Sequence, residues 1–572
     1  MITKKTTLFL SLFIAFALLI SFSLIYFNDQ AWGAWGDDSP GYIFLAGRLY
    51  QGLPLVYHDD LVKAGYDFFQ DEKLSRWLTP THHFLINQQG TIASKYPLGL
   101  SLLMVGAAKF LHNSEGFYAL VPLSAALNLV LFYLVILKLI PANRYRQIIG
   151  ALSAVGMGLS SLYYDYAIAQ PMREIPSMTF LLISALCILF GVEYFKAQKK
   201  IISLSLMGLF GIAFGFAFSI RETSAVILPA FFLFAVFACW HNSQNFKENL
   251  KKLWPAVLVV LIGLFIGLMP TFWNAKILSA EKEVFKQRDT SQTVILPNIG
   301  HLESFSLQNL FNSHGKYRPD SGSFSHYFAV LKTAVPIPYF LVLVIIGFIF
   351  FFKESRPKAV LLILWILGTL TIFSLWVNPY SRYILPLFPP FFFLGVYGLF
   401  AFMQKILPRV LPHKLWQWLV GIAVLATVVA AYQPVIVEAQ ENMRADIYKF
   451  KAISYQDLQN LTELGNFLQE RYQNPVLLFS GEWQYGISET LQAHTNLKTI
   501  RAPWEQGKFS FNNQKIDQFF TKKVLPKYDL LVWTDATTQP ATLAWLAKYT
   551  YQEVASYNFS FQPDVKIYHV RD

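Results

Sequence analysis

Residues 6–42 are TTLFLSLFIAFALLISFSLIYFNDQAWGAWGDDSPGY, an apolar run followed by a short polar stretch that carries two adjacent carboxylates, Asp37 and Asp38. The run from Thr6 to Tyr26 is long enough to cross a bilayer, because about 20 apolar residues span the hydrocarbon core as a helix. An Asp at the centre of a membrane helix costs roughly 2.5–3.5 kcal/mol, so the pair is predicted to lie in water or in a polar cavity at the membrane face. The stretch therefore indicates a membrane protein with a polar site at one face.

The segment after the Asp pair, residues 42–50, has apolar side chains at helical spacing. This pattern predicts a short helix that lies along the membrane surface and directs the pair at the interface. Two roles for Asp37 and Asp38 remain open here. They either carry chemistry, or they cap the helix by accepting hydrogen bonds from its free backbone N–H groups.

The composition excludes a soluble protein of this size, because 54% of the 572 residues are hydrophobic, 17% are aromatic and only 14% are charged. The net charge of +12 comes mostly from short loops between apolar runs, so it indicates membrane topology and no nucleic-acid partner. Cys187 and Cys239 lie in separate apolar runs, which argues against a disulfide framework or a cysteine metal site. The sequence contains no P-loop or dinucleotide-binding glycine pattern.

The apolar runs predict about eleven membrane-spanning helices. They are the first run and residues 117–139, 147–163, 175–195, 201–219, 223–240, 253–273, 335–352, 359–376, 383–403 and 415–432. Every second connection is basic, which places those loops and the N-terminus in the cytoplasm and the C-terminus outside. The expected location is a bacterial-type inner or plasma membrane, with the active site and the C-terminal domain extracytoplasmic.

The chain is predicted to have two parts. Residues 1–432 form the transmembrane domain, including an outer loop at 27–96 with the Asp pair and a second outer loop at 274–330. Residues 433–572 form a small extracytoplasmic α/β domain, because buried strands are predicted at 475–480 and 528–533 and helices at 457–472 and 514–523.

Three short outer loops each carry a single arginine: Arg173, Arg221 and Arg382. An arginine at the outer end of a span is contrary to the positive-inside rule, by which Lys and Arg favour cytoplasmic loops. Its presence there therefore calls for an explanation. Each arginine either reaches lipid phosphates from a helix end, or is neutralised by an adjacent acid, as Glu174 and Glu222 allow. The third interpretation is that the three arginines and Lys95 form one anion site, since guanidinium groups hold phosphate through two parallel hydrogen bonds.

Five motifs occur along the chain in this order: the Asp pair, residues 42–52 with Ala46 and Arg48, Lys95-Tyr96-Pro97-Leu98-Gly99, Arg173-Glu174-Ile175-Pro176 and Arg382-Tyr383-Ile384-Leu385-Pro386. Together they resemble the motifs of the GT-C glycosyltransferases, which include the protein O-mannosyltransferase and lipid A aminoarabinose transferase relatives. The resemblance covers roughly residues 1–400 and leaves out the tail. It departs from the family in the Lys-Tyr-Pro-Leu-Gly turn, where relatives often have a double proline.

The resemblance implies a lumenal or periplasmic enzyme that takes a hexosyl or pentosyl group from a polyprenyl phosphate or pyrophosphate carrier. The acceptor is a glycan, a lipid or a protein that the resemblance does not identify. The first-loop carboxylate is implied to be catalytic, with Asp38 as the first choice and Asp37 as the second. The residues implied to bind the donor phosphate are Arg382, Arg173, Arg221 and Lys95. Those expected to support the site are Glu174, Tyr383 and His83.

The chemistry of such a transfer suits these groups. Positive charge develops on the sugar and negative charge on the departing phosphate, while a carboxylate takes the proton of the attacking hydroxyl. One direct displacement inverts the anomeric centre. No cofactor is certain, although a divalent metal ion held by Asp37 against the phosphate is an alternative.

Two other classes of protein compete with this interpretation. A transporter or flippase of lipid-linked sugars needs polar residues midway along its spans and an internal repeat, whereas the charges here collect at one face. A sensor whose working part is the tail does not need about eleven spans as its anchor.

The topology is testable at the end of the chain. A reporter that works only in the cytoplasm, fused after residue 572, is expected to be inactive, because the basic loops place that end outside. The same reporter in the basic loop around Lys199 should be active and serves as the control. Activity of the fusion after residue 572 would mean that the number of spans is wrong.

Overall fold

The apolar runs form helices, because within a bilayer a single segment satisfies its backbone only by intrahelical hydrogen bonds. The structure is a computed structural model that describes residues 4–33, 39–70, 78, 84–86, 89–94, 96–141, 145–168, 171–240, 246–280, 323–334, 340–376, 380–406, 453–480, 487–495, 497–501, 504–505, 508–509, 514–536, 538–559, 562 and 564–571. Within them, six helices are long and apolar enough to cross a membrane, or seven if the bent pair 254–267 and 269–277 is one span. The chain is a polytopic α-helical membrane protein with a small C-terminal sheet domain.

The helices are numbered in chain order: α1 (Lys4–Asn28), α2 (Ser39–Tyr50), α3 (Asp60–Phe69), α4 (Leu98–Leu111), α5 (Gly116–Leu139), α6 (Arg146–Gly158), α7 (Ser161–Ile168), α8 (Glu174–Lys196), α9 (Lys200–Ile220), α10 (Leu228–Trp240), α11 (Phe246–Gly267), α12 (Met269–Ala280), α13 (Ser323–Ala334), α14 (Phe340–Glu354), α15 (Arg356–Ser374), α16 (Phe388–Ala401), α17 (Tyr455–Arg471), α18 (Ile487–Thr495), α19 (Gln514–Phe519) and α20 (Gln539–Leu546). Short 3₁₀ helices at Glu222–Ile227 and Ser381–Leu387 precede α10 and α16, and π-helical turns follow α16 at Phe402–Ile406 and α19 at Phe520–Val524.

The strands are β1 (Val56–His58), β2 (Phe84–Ile86), β3 (Thr91–Ser94), β4 (Val476–Phe479), β5 (Lys498–Arg501), β6 (Trp504–Glu505), β7 (Lys508–Phe509), β8 (Leu530–Thr534), β9 (Thr550–Tyr557) and β10 (Val565–Arg571). The first three form an antiparallel sheet in the order β1-β3-β2. The predicted outer loop 27–96 is therefore in part a folded unit of helices and strands.

The long helices agree with the predicted spans at six places, and the bent pair accounts for the span predicted at 253–273. The span predicted at 147–163 is instead divided into α6 and α7, and the 3₁₀ turn at Glu222–Ile227 shortens the helix of the span predicted at 223–240. The span predicted at 335–352 corresponds to the short helix α14, whereas the one predicted at 415–432 lies outside the described residues.

Helix α2 forms where the apolar spacing predicted a helix, and its apolar side chains are covered by protein. Every residue from Ser39 to Gly47 is buried by protein. The Tyr42 ring packs against Tyr96, with the ring centres 4.6 Å apart, and the backbone oxygen of Tyr42 accepts a hydrogen bond from Ser101. The apolar side chains of α2 thus face protein partners that are distant in sequence.

The C-terminal domain has a five-stranded sheet in the order β5-β4-β8-β10-β9. Strands β5, β4 and β8 are parallel, and β10 and β9 are antiparallel to their neighbours. The strands predicted at 475–480 and 528–533 are β4 and β8, the two central parallel strands, and their side chains are buried throughout. Continuous apolar runs of this kind are typical of parallel strands that are covered on both faces.

This domain shares a hydrophobic core with the bundle. One cluster of buried side chains includes Leu45 of α2, Leu100 of α4, Phe117 of α5, Leu491 of α18 and Trp533 of β8. The sheet domain is therefore packed onto the end of the bundle that bears α2 and α4.

A candidate active site at one end of the bundle

Three arginines from separate connections meet at one end of the bundle. Arg173 immediately precedes α8, Arg221 follows α9 directly, and Arg382 lies in the 3₁₀ turn that leads into α16. The backbone of Arg221 is extended, with φ −149° and ψ 107°, which turns the chain between α9 and the following 3₁₀ helix. We call the part of the bundle formed by these three connections the site end.

Two glutamates hold the arginines in a crosswise arrangement. Oε1 of Glu174 lies 3.7 Å from Nη2 of Arg221 and 3.5 Å from Nε of Arg382, and Oε2 of Glu222 lies 3.6 Å from Nη1 of Arg173. Glu174 and Glu222, the acids considered as neutralising partners of Arg173 and Arg221, thus do pair with these arginines, but each pairs with the arginine that is distant in sequence. Consecutive residues at a helix start point in different directions, so the pairs form between the start of α8 and the end of α9.

The burial of these groups makes the pairing necessary. Glu174 is 0% exposed and Arg221 is 1% exposed. An isolated charge in such a place is very costly, so a buried ion requires an opposite charge nearby. Among the described residues, three arginines thus share two buried or nearly buried glutamates.

The contacts within the cluster are loose. Charge-assisted hydrogen bonds in proteins are about 2.7–2.9 Å long, and all three ion pairs exceed this length. None of the three guanidinium nitrogens of Arg221 donates a hydrogen bond to a described residue. Arg221 is thus held by its ion pair with Glu174 and not by hydrogen bonds to described residues.

Aromatic rings enclose two of the guanidinium groups. The Arg221 guanidinium carbon lies 5.0 Å from the ring centre of Phe373 and 5.3 Å from that of Tyr383, and the Arg382 carbon lies 4.8 Å from Tyr380 and 5.5 Å from Tyr383. A cation over an aromatic face is stabilised by the ring quadrupole. Tyr383, a predicted supporting residue, therefore contacts both arginines, and its own ring stacks on Phe373.

Helix α13 adds a residue that the sequence analysis missed. Tyr327 is buried, and Tyr383, Arg221 and Arg382 are near enough to influence its hydroxyl. Burial raises the pKa of Tyr327, and the nearby Tyr383 raises it further, so the hydroxyl stays neutral and can donate a hydrogen bond. Nothing in the polar 274–330 segment distinguishes this tyrosine, since its position depends on how α13 folds back over the bundle.

Asp165 is a partly buried carboxylate on α7, a helix that contacts α8, α13 and the 3₁₀ turn with Arg382. Burial raises the pKa of Asp165 to about 7. The arginines have no part in this shift, so Asp165 is not assigned to the cluster.

Four of the predicted site residues lie outside the described residues: Asp37, Asp38, Lys95 and His83. The described residues that follow Asp38 and Lys95 nevertheless contact one another. Gly41, in the first turn of α2, packs on the ring of Tyr96, where any Cβ would overlap that ring. The segments that follow Asp38 and Lys95 are thus in direct contact.

The turn after Lys95 also reaches the arginines. A Cβ on Gly99 would lie 2.5 Å from the carbonyl oxygen of Ser219 and 2.7 Å from the backbone nitrogen of Ile220. Only a glycine allows α4 to approach α9 this closely. Ile220 is the last residue of α9, so the start of α4 abuts the backbone next to Arg221.

The described residues do not suit a metal ion at this place. They contain no group of three metal-ligating side chains, and Glu174 and Glu222 each face a guanidinium that competes with a cation. Asp37, the predicted ligand if a metal is required, is not among the described residues.

Comparison with known proteins identifies the fold. No protein-family model and no curated protein sequence matches the chain. Among solved structures, the oligosaccharyltransferase of Archaeoglobus fulgidus in the apo form is similar with a TM-score of 0.53 and 11% identity over 96% of this chain and 74% of that one. The complex of the same protein with Zn and sulfate is similar with a TM-score of 0.51 and 13% identity over 96% of this chain and 73% of that one.

ArnT from Cupriavidus metallidurans in the apo state is similar with a TM-score of 0.50 and 12% identity over 99% of this chain and 98% of that one. Both proteins are GT-C glycosyltransferases. The chain therefore has the GT-C fold that the motifs implied.

The ionic cluster can be tested by its contribution to stability. We expect Glu174→Gln to lower the free energy of unfolding by about 3–5 kcal/mol, because two arginines lose their buried carboxylate. The measurement is thermal or denaturant unfolding in detergent. Glu193→Gln is the matched control on the same helix, since Glu193 is 58% exposed and pairs with Lys138 at the far end. An exposed pair contributes only about 0.2–1 kcal/mol. Equal losses of unfolding free energy in Glu174→Gln and Glu193→Gln would contradict a buried cluster.

Proposed function

We propose that the protein is a membrane glycosyltransferase that moves a sugar from a polyprenyl phosphate or pyrophosphate carrier to an extracytoplasmic glycan, lipid or protein. One observation supports this most strongly. Three arginines converge on two glutamates at one end of a GT-C fold, with ion-pair distances of 3.5–3.7 Å among the described residues. Guanidinium groups hold phosphate through parallel hydrogen bonds, so this convergence suits the phosphate of a lipid carrier.

The three arginines have different exposures and hence different proposed roles. The side chains of Arg382 and Arg173 are 12% and 16% exposed, while that of Arg221 is 2% exposed. Arg382 and Arg173 are the proposed phosphate ligands at the mouth of the site, with Lys95 as a further one. Arg221 and Glu174 form the support behind them, and Tyr383 aligns the two guanidinium groups that it contacts.

The proposed reaction is a single displacement. The acceptor hydroxyl oxygen forms a bond to the anomeric carbon as the bond from that carbon to the phosphate oxygen breaks, and its electron pair leaves with the phosphate. The arginines stabilise the charge that grows on the leaving group, and Asp38 takes the hydroxyl proton. Attack from the side opposite the phosphate inverts the anomeric centre. Asp37 is the second choice for the base.

The proposed orientation is supported by the charge at one end of the bundle. Opposite the site end, basic residues occur at the helix termini: Lys138, Lys196, Arg356 and Lys405. Positive residues favour the cytoplasmic side. We therefore place the site end, the sheet domain and the reaction on the extracytoplasmic side, and the N-terminus in the cytoplasm.

A flippase of lipid-linked sugars is the second candidate, since it would also bind a carrier phosphate. Transporters place their binding residues near the middle of the membrane, on interrupted helices. Here the charged side chains of the described cluster lie at helix termini rather than at the middle of long helices. Transfer of a labelled sugar by purified protein in detergent, where no membrane separates two compartments, distinguishes an enzyme from a flippase.

The proposed base is testable by a change that removes only its basicity. Asp38→Asn is expected to abolish transfer while expression and unfolding temperature stay near those of the parent, because the amide keeps the size and much of the capping ability. Asp37→Asn is measured beside it. Loss of folded protein with normal specific activity would instead support a cap at the start of α2.

The phosphate ligand is testable by a change that keeps its charge. We expect Arg382→Lys and Arg382→Ala to weaken the handling of the donor by about ten- to a hundredfold, since a charge-assisted hydrogen bond contributes roughly 1.5–3 kcal/mol. Arg356→Lys is the control, because that arginine is exposed at the opposite end. Transfer rates are measured at several donor concentrations. Full activity of Arg382→Ala would place the anion site elsewhere.

A further inference from the structure

Helix α2 is held at both ends by contacts that admit no side chain. Gly41 meets the Tyr96 ring near the start of the helix, and Gly47 meets α18 of the sheet domain near its end. The two glycines are six residues apart and therefore face different sides of the helix. The sheet domain thus provides one of two surfaces that contact α2 on sides about 120° apart around its axis.

The contact with α18 is backbone to backbone. A Cβ on Gly47 would lie 2.6 Å from Cα of Ala493 and 2.7 Å from its carbonyl oxygen. The same carbonyl oxygen accepts a hydrogen bond from Nε2 of Gln51, at 3.1 Å, just past the end of α2. Neither Ala493 Cα nor its carbonyl oxygen can rotate away as a side chain can, so a methyl group here must displace one of the helices.

Helix α18 is itself fixed to both halves of the protein. His494 contacts the bundle, with Nδ1 2.7 Å from Oγ of Ser114 and Nε2 3.0 Å from the hydroxyl oxygen of Tyr118. Burial lowers the pKa of His494 to about 4, so the ring is neutral and one nitrogen donates while the other accepts. On the domain side, Arg501 of β5 donates a 2.7 Å hydrogen bond to the buried Glu489. A displacement at Gly47 is therefore expected to move α2 rather than α18.

We infer that the sheet domain positions the catalytic carboxylate: α18 sets the place of α2, and Asp38 is the residue immediately before its first turn. Gly47, Gln51 and Ala493 are then positioning residues for the transfer. The catalytic consequence of this inference rests on the proposed function. The contact between α18 and α2 is independent of that function.

The test compares two glycine-to-alanine changes in helices. Gly47→Ala introduces the overlap with Ala493, whereas Gly106→Ala in α4 introduces a methyl group that meets nothing within 4 Å. Because ordinary carbon contacts are near 3.5–4.0 Å, the overlap requires a shift of about 1 Å. A misplacement of this size can cost about a hundredfold in rate. We expect kcat to fall by about that factor in Gly47→Ala and to stay unchanged in Gly106→Ala.

Two further readouts separate positioning from other roles. Binding of polyprenyl phosphate and the KM for the donor should change much less than kcat in Gly47→Ala, because the arginine cluster does not include α2 and, of the proposed phosphate ligands, only Lys95 adjoins a residue that packs on it. Amide hydrogen exchange of residues 39–50 should accelerate in this variant alone. A rise in the KM for the acceptor with unchanged kcat would overturn the inference and indicate that the domain binds the acceptor.

The remaining outcomes are also decisive. Unchanged hydrogen exchange of α2 in a folded Gly47→Ala protein would overturn the mechanical contact. If hydrogen exchange of α2 is faster in Gly47→Ala but the parent protein transfers no sugar, the contact between α18 and α2 is upheld and the proposed function is rejected.

If Gly47→Ala does not fold, Gln51→Ala serves as the second variant, because it removes only the hydrogen bond to Ala493. This variant is expected to accelerate exchange at the end of α2 and to lower kcat by several fold. No change in either quantity would overturn the inference.

Discussion

The buried carboxylate of Glu174 is the constraint on which the site end of the bundle depends. A carboxylate removed from water is tolerated only where cations surround it, because its desolvation costs several kcal/mol or more. Its two cations come from different elements, Arg221 at the end of α9 and Arg382 in the 3₁₀ turn before α16. The ends of three helices must therefore stay in register. The chain leaves the regular α-helix at both arginines, through the extended backbone of Arg221 and through the 3₁₀ turn that contains Arg382.

The same cluster explains why this end of the bundle suits a reaction. Its arginines lie largely out of water and against aromatic rings, where charges interact more strongly than they do in solvent. Such a place stabilises negative charge that grows during a reaction, since its dipoles and charges are already oriented. The fold alone does not specify this chemistry, because one architecture hosts many reactions. The named side chains of the cluster, rather than the GT-C fold, are the reason for proposing phosphate binding.

The sheet domain has a role in this arrangement because it shares a core with the bundle. Burial of Leu491 and Trp533 with Leu45 and Phe117 joins parts of the chain that are more than 300 residues apart in sequence. Such a junction costs chain entropy that only a large apolar contact offsets. The domain is thus part of the folded site end, which agrees with neutral, hydrogen-bonded His494 at the junction.

The sequence by itself determined the features that depend on neighbouring residues. Apolar runs predicted the membrane helices because spanning a bilayer is a property of one segment, and the buried strands β4 and β8 were predicted for the same reason. The three arginines were found because each is a lone cation in a short loop, and their common face followed from counting spans. The GT-C fold was likewise implied by motifs in a fixed order.

Only the tertiary structure decided which of these groups meet. The pairing of Glu174 with Arg221 rather than with its neighbour depends on how α8 packs beside α9, and the burial of α2 depends on helix α18, more than 400 residues later. Tyr327 reaches the arginines only because α13 folds back over the bundle. Side-chain spacing specifies which face of an element is apolar, but not which distant element covers that face. That choice is made by packing and by the cost of leaving a buried charge unpaired.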